Sequence, residues 1–517
     1  MSIPVFARRS LSAAAPVALA AALSLGAPQA GSSAAQPSVD AAPTFTPTLT
    51  YVECPDAKKP KLPAGTECAE LTVPLDWQAP DDGRTVDLAI RVTPASGNPG
   101  RNGLTWNPGG PGIQAINDHG ALYSLLPASV RQRFDFVSWD PRGVGLSEPK
   151  LAGCKAPRQV YPPATGPVDW DAHWLKVEAV EGAAAAACFA ANPNAAPYLG
   201  TWQVVRDLDA LRAALGYARW NFWGMSYGTV VGNAYARTFP ARLRTLIEDG
   251  SRMANETLSR FGATTPAGNY TGIQIYASLV GKKQAYKIRT VERFLDDSVM
   301  YIGTKTYDRW QAHEEIVDDL RVQGNYALVK SLVNASYDYV KAVGSGGIQR
   351  AQRAMIRAQE RNTRKSPPSD AFLRSFVTCA DLNDRPTPSD LAAMSRQAEH
   401  SYGTSYGIDV GRASDCLGLP AGFSPTPDNG DQTVRLTTPP LFLLTTGDMA
   451  TPWIWGRSLA DTYAGSRTMT YASTEHVSSF RTASTCMKKA AERYLLDRAL
   501  PRKDTFCPYV PIKPDSN

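Results

Sequence analysis

The chain has 517 residues, with 54 lysines and arginines against 48 aspartates and glutamates, a formal net charge of +6. Charge this small and scattered argues against nucleic-acid binding, and 43% hydrophobic with 20% charged residues excludes a fibrous or disordered chain. The length allows one large core with an inserted piece or two cores in tandem, and 40 glycines with 40 prolines imply many turns.

Residues 1–35 read as an export leader. "MSIPVFARR" is basic, "SLSAAAPVALAAALSLG" apolar, and "APQAGSSAAQ" a small-residue tract with a cleavage place near Ala30 or Ala35. The apolar run is shorter than the about 20 residues of a membrane anchor, and Arg8 with Arg9 fits twin-arginine export. The expected mature protein is secreted, extracellular or periplasmic, detached from any membrane and monomeric. Residues 36–50, "QPSVDAAPTFTPTLT", form a Pro/Thr/Ala-rich lead-in.

A first core part is expected over 51–250. "LTWNPGGPG" (104–112), "FDFVSWDPRGVG" (134–145) and "ARWNFWGMSYG" (218–228) are short apolar runs that end in Gly, Pro or Asp. Buried strands of a parallel sheet look like this, with working loops at their carboxyl ends. Between them, Val204, Leu208, Leu211 and Leu215 recur at helical spacing, with Gly216 as a stop. After Ser226, the small residues Gly228, Gly232 and Ala236 share a stripe that lets a helix approach the sheet. "LRTLIEDG" (243–250) reads as the next strand. From 251 to 425 the pattern turns helical and polar, and a second core part over 426–517 restores it. There "PPLFLLTTGD" and "RTMTYAS" read as strands, and Met487, Ala491, Tyr494 and Leu495 mark one face of a helix.

Eight cysteines, an even number, suit an oxidising compartment, and none forms a C-x-x-C pair of the zinc or thioredoxin kind. They fall into four local couples, Cys54 with Cys68, Cys154 with Cys188, Cys379 with Cys416 and Cys486 with Cys507, which favours neighbour pairing over free thiols.

Two stretches fit G-x-S-x-G, the turn that presents a nucleophilic serine in α/β-hydrolases: "GMSYG" (224–228) and "GTSYG" (403–407). Ser226 has a buried strand before it and a helix after it; Ser405 has neither and reads as a loop residue. A serine needs a histidine to take its proton and an acid to orient that histidine, in the chain order Ser, acid, His. His119 and His173 precede Ser226, while His313 and His400 lie in the helical insertion. His476, in the loop after "RTMTYAS", remains, with Asp448 closing the preceding strand. The amide of Tyr227 is one expected oxyanion donor, and Gly109 or Gly110 in "NPGGPG" supplies the other.

With these pieces in order, the sequence resembles the secreted tripeptidyl-aminopeptidase-like branch of the prolyl-aminopeptidase family, the S33 serine peptidases. The matching stretches are "ECAELTVPLDW", "NPGGPG", "DPRGVGLSEP", "DLDALRAALG", "WGMSYGTVVGNAYARTFPARL", "GDMATP" and the late cysteine pair. The resemblance implies an α/β-hydrolase fold, a mostly parallel central sheet flanked by helices, with a large helical cap inserted before the last core strands. It implies the triad Ser226, Asp448 and His476, nearest-neighbour disulfides, and bracing of the active-site loop by Asp140 and Arg142. This sequence departs from the family pattern at Ile113 and Gln114, which follow "GGPG", and at Glu475, which stands where glycine is usual before the histidine. Glu475 either contacts substrate or points to water, and the second reading is preferred.

The activity expected is release of short peptides, tripeptides above all, or of residues from free amino termini through an acyl-enzyme, with no metal or organic cofactor. The partner is then a peptide or small acyl substrate. Recognition of an α-ammonium calls for acidic groups, with Glu314, Glu315, Asp318, Asp319, Asp381 and Asp384 as candidates. Rival readings are a carboxylesterase or amidase on small non-peptide substrates and a catalytically silent binding protein.

Overall fold

A ten-stranded sheet carries the active-site loops. Its strands are β1 (Thr48–Val52), β2 (Glu67–Pro74), β3 (Thr85–Thr93), β4 (Gly103–Asn107), β5 (Asp135–Trp139), β6 (Trp220–Met225) and β7 (Leu243–Asp249), followed, after a helical excursion holding the small ribbon β8 (Met300–Ile302) and β9 (Lys305–Tyr307), by β10 (Leu441–Thr445), β11 (Arg467–Tyr471) and β12 (Thr505–Cys507). Their order is β1-β2-β3-β5-β4-β6-β7-β10-β11-β12. Pairing is antiparallel from β1 to β5 and parallel from β5 through β12.

This computed structural model describes residues 45–511, except 56–60, 98–99, 101, 303–304, 323–325, 344, 346 and 361–371. The expected leader and the lead-in up to residue 44 lie outside the described residues. The end of that lead-in is already strand, since β1 begins at Thr48.

Successive side chains of a strand point to opposite faces. Phe222 of β6 and Phe442 of β10 therefore enter a core shared with the helices Thr201–Ala214 and Gly228–Thr238, while Trp223 and Leu443 enter another shared with the helix Thr485–Asp497. Both faces are covered, which is why these strands are unbroken apolar runs. Val204, Leu208, Leu211 and Leu215 all bury in the first core, and Met487, Ala491, Tyr494 and Leu495 in the second, as their spacing predicts. The small-residue stripe also acts as expected: a Cβ on Gly232 would lie 2.6 Å from Glu248 Oε1 of β7.

Between β7 and β10 the chain forms helices, among them Leu258–Val280, Arg309–Leu320, Tyr326–Ala342, Leu373–Asp381 and Pro388–Tyr402, then a run of 3-10 turns over Thr404–Cys416. A second helical piece between β5 and β6, Trp170–Val177, joins them by packing Trp170 and Trp174 with Trp310 and Leu391. Sequence reading did not foresee that contribution. All four expected neighbour disulfides are present: Cys54–Cys68, Cys154–Cys188, Cys379–Cys416 and Cys486–Cys507. Among the described residues no helix is long and apolar enough to cross a membrane.

Candidate active site

Ser226 sits on the turn between β6 and the helix Gly228–Thr238, at a backbone φ of +56°, a left-handed value that a serine adopts only when the surroundings enforce it. Its N–H donates to Asp249 O (3.0 Å), and its carbonyl accepts from Thr229 N (2.9 Å) and Thr229 Oγ1 (2.6 Å). The motif's glycines follow from crowding: a Cβ on Gly224 would stand 2.5 Å from Gly228 O, and one on Gly228 2.3 Å from Asn107 O.

Asp448 follows β10 and is 2% exposed. Its Oδ1 accepts from the N–H groups of Ala450 and Thr451 (both 2.9 Å), and its Oδ2 from Thr451 Oγ1 at 2.8 Å. His476, in the loop after β11, meets it through Nδ1 at 2.9 and 3.1 Å. A ring held at Nδ1 by a buried carboxylate leaves Nε2 to take a proton. The His476 N–H donates to Arg321 O (2.9 Å), so the helical region helps position the imidazole.

Two residues that sequence reasoning missed complete the frame. Asp249, at the end of β7, accepts from the N–H groups of Ser478 (2.7 Å) and Ser479 (3.0 Å), while its carbonyl holds Ser226 N. One residue thus ties the serine turn to the histidine loop. Thr451 bridges Asp448 and His476, with Oγ1 3.3 Å from Nδ1. Its signal was the motif "GDMATP", in which only the aspartate drew attention.

The loop after β4 packs on the serine. A Cβ on Gly109 would come within 2.8 Å of Ser226 Cβ and 3.0 Å of Tyr227 N, so only glycine lets the loop approach. The Gly109 N–H already donates to Asn107 Oδ1 (2.9 Å), which makes Gly110 the stronger of the two expected donors. Ile113 and Gln114 are half-buried on the same loop, with the Gln114 side chain bonded to Asn117 Nδ2. Asp140 accepts from Ala115 N (2.8 Å) and Ile116 N (3.1 Å) and so braces this loop. Arg142 lies further back, bound to both oxygens of Asp207 at 2.7 and 2.6 Å.

Four expectations about acidic residues need correction. Glu475 does not point to water: it is 3% exposed, beside Ser473 and Thr482, and burial pushes its carboxyl up to about 7. Asp381 does not offer a free carboxylate to an ammonium, because it accepts from Thr201 N (2.7 Å) and Thr201 Oγ1 (2.5 Å) beneath Tyr227. Asp384 caps the helix Leu258–Val280 through the N–H groups of Leu258 and Ser259 (2.7 and 2.8 Å), and Glu315 accepts from Tyr307 OH (2.7 Å). Ser405 belongs to the 3-10 run, away from any strand, and the nearby Gly407 packs against the Trp170 ring.

The buried Glu475 carboxyl implies a pH dependence. It is protonated in both states below its ordinary value of 4.5, whereas between there and about 7 the folded state alone retains the proton. Stability therefore falls as pH rises through that window, by up to about 3 kcal/mol for this group. Thermal unfolding from pH 4.5 to 8 should show a shallower decline for Glu475→Gln than for the wild type; parallel curves would mean that the carboxyl ionises normally.

A polar cavity of about 550 Å³ opens among Trp174, His313, Glu314, Asp318, Arg374 and Arg412. A narrow pocket shares Arg412 and Asp415 with it and reaches Gly110. A larger, mostly apolar hollow of about 850 Å³ touches Asp448 but neither Ser226, His476 nor the loop after β4. The polar cavity is linked to the oxyanion loop through the residues it shares with the narrow pocket, Arg412 and Asp415.

A serine on a strand–turn–helix elbow, with a carboxylate-bound histidine at the end of the same parallel sheet, defines a serine hydrolase of the α/β-hydrolase fold. Profiles described as "alpha/beta hydrolase fold" and "TAP-like protein" match residues 106–274 and 405–507. These matches, with the relatives that follow, support a TAP-like α/β-hydrolase serine peptidase. The chain is similar to Serine protease Hip1 of Mycobacterium tuberculosis, 29% identical over 471 residues that span 86% of this chain and 88% of that protein. Tripeptidyl aminopeptidase of Streptomyces lividans is 35% identical over 199 residues, 36% of each chain. Carboxylesterase B of Mycobacterium tuberculosis is 29% identical over 473 residues, 85% of this chain and 86% of that one.

Proposed function

We propose that this protein is a secreted serine exopeptidase that releases short peptides, tripeptides above all, from free amino termini. Ser226 Oγ attacks the scissile carbonyl carbon while His476 Nε2 takes the hydroxyl proton. Asp448 holds the ring's other nitrogen and stabilises the imidazolium. The oxyanion is received by the amides of Tyr227 and Gly110. As the C–N bond breaks, His476 returns the proton to the leaving amine, and water then cleaves the Ser226 ester by the same path.

The polar cavity beneath the helices carries this reading. It joins, through Arg412 and Asp415, the narrow pocket at the oxyanion loop, and its lining includes Glu314 and Asp318, acidic groups of the kind an α-ammonium needs. The names of the Hip1 and tripeptidyl aminopeptidase relatives point the same way. The four disulfides support secretion. Carboxylesterase B, which matches as much of the chain as Hip1 does, supports ester hydrolysis as a second reading.

Tripeptide anilides with free amino termini should be cleaved at least about tenfold faster, in kcat/KM, than their N-acetylated forms, the factor that one lost charge-assisted contact removes. Equal rates would refute the exopeptidase claim. Turnover of nitrophenyl esters without any anilide cleavage would favour the esterase.

A further inference from the structure

The polar cavity is not uniformly acidic. Its lining includes Glu314, Asp318 and His313, and there Tyr161 OH donates to Glu314 Oε2 (3.0 Å) and His313 meets Asp409 at 3.0 Å. Arg321, Arg374 and Arg412 line the cavity as well, and Arg412 also lines the narrow pocket that reaches Gly110.

The carboxylates around those three groups do not match them. Asp415 is shared between Arg374 (3.2 Å) and Arg412 (3.7 Å), and Arg321 meets only the exposed Asp318, at 3.1 Å. Among the described residues, the buried Nε atoms of Arg374 and Arg321 have no partner. Glu181, another carboxylate of the lining, accepts from Val160 N (2.8 Å), and burial raises its pKa. Arg252, next along the narrow pocket, is neutralised by Glu256. Arg412 leaves 41% of its side chain uncovered and lines both the polar cavity and the narrow pocket. Its one carboxylate partner, Asp415, is shared with Arg374, so its charge lacks a full counter-charge. A guanidinium in that state is built to receive a planar oxyanion in a bidentate contact.

We infer that Arg412, supported by Arg374, is a specificity-determining residue that binds a carboxylate of the substrate next to the scissile bond. The inference rests on the peptidase reading only for the nature of that substrate. Within it, the carboxylate is an acidic side chain of the released segment or the terminal carboxylate of a short peptide. Arg412 lines both the cavity and the pocket at Gly110, so a group held there lies beside the reacting carbonyl, while an ammonium can reach the acids of the lining.

The test compares kcat/KM for tripeptide anilides carrying Glu or Gln at each position in turn. Tetrapeptides with free or amidated carboxyl termini separate the two sources of carboxylate. Wild type should favour the carboxylate by about tenfold in one of the two series, the factor expected of one charge-assisted contact. In Arg412→Gln that ratio should fall close to one, and Arg412→Lys should keep part of it. The ratio itself is the readout, so a loss of total activity does not imitate the effect, and Arg374→Gln provides a second variant with the same expected direction. A wild-type ratio near one in both series, or an unchanged ratio in Arg412→Gln, overturns the inference. If no peptide is cleaved, the peptidase reading fails separately, and the nitrophenyl half-ester of succinate against the butyrate ester applies the same ratio test to Arg412.

Discussion

Ser226→Ala should lower kcat by roughly 10⁶-fold, the scale on which removal of the nucleophile acts when nucleophile and base work as one unit. Labelling by a fluorophosphonate should disappear with it. The turn is already enforced by the Ser226 N–H bond to Asp249 and by the crowding at Gly224 and Gly228, so alanine inherits the same backbone and the protein should still fold. Ser405→Ala is the matched control, since the second G-x-S-x-G lies in 3-10 turns without a strand before it. Undiminished labelling of Ser226→Ala would move the nucleophile elsewhere and remove the basis of the proposed mechanism.

Asp448→Asn should cost roughly 10⁴-fold in kcat, because an amide NH₂ facing Nδ1 favours the wrong imidazole tautomer. Two buried aspartates compete for this role, and geometry separates them. Asp448 reaches His476 Nδ1, whereas Asp249 spends its oxygens on Ser478 and Ser479 N–H groups. Asp249→Asn replaces one acceptor by a donor facing a backbone N–H, so it should lower the melting temperature more than Asp448→Asn does and reduce kcat less. Steady-state kinetics on a neutral ester, with thermal unfolding of both variants, gives the comparison. The reverse ranking in kcat would make Asp249 the orienting acid.

Much of this site was legible because each part has a local cause. The strand before Ser226 is apolar on both faces, the glycines around it answer a clash within the turn, and five histidines left one at the right place in chain order. Asp249 and Thr451 were not legible, since their importance lies in partners 229 and 25 residues away. The antiparallel strands β1, β2 and β3 carry mixed exposed and buried positions, and nothing in that pattern names their neighbours.

Glu475 and Asp381 mark where local reading ended. An acidic residue in a loop or at a helix end is ordinarily solvated, and both are buried only because separate segments close over them, Ser473 and Thr482 around one and Thr201 and Tyr227 around the other. The mixed charge of the cavity lining has the same origin, since Arg321, Arg374 and Arg412 come from three separate elements. By itself the sequence determined the sheet's buried strands, the elbow, the order of the candidate triad and the disulfide partners, because periodicity, turn chemistry and short loop closure act over a few residues. The tertiary structure alone decided which carboxylates are free, which are spent on backbone N–H groups and which charges lack a partner, because desolvation and Coulomb interactions depend on distance in space rather than along the chain.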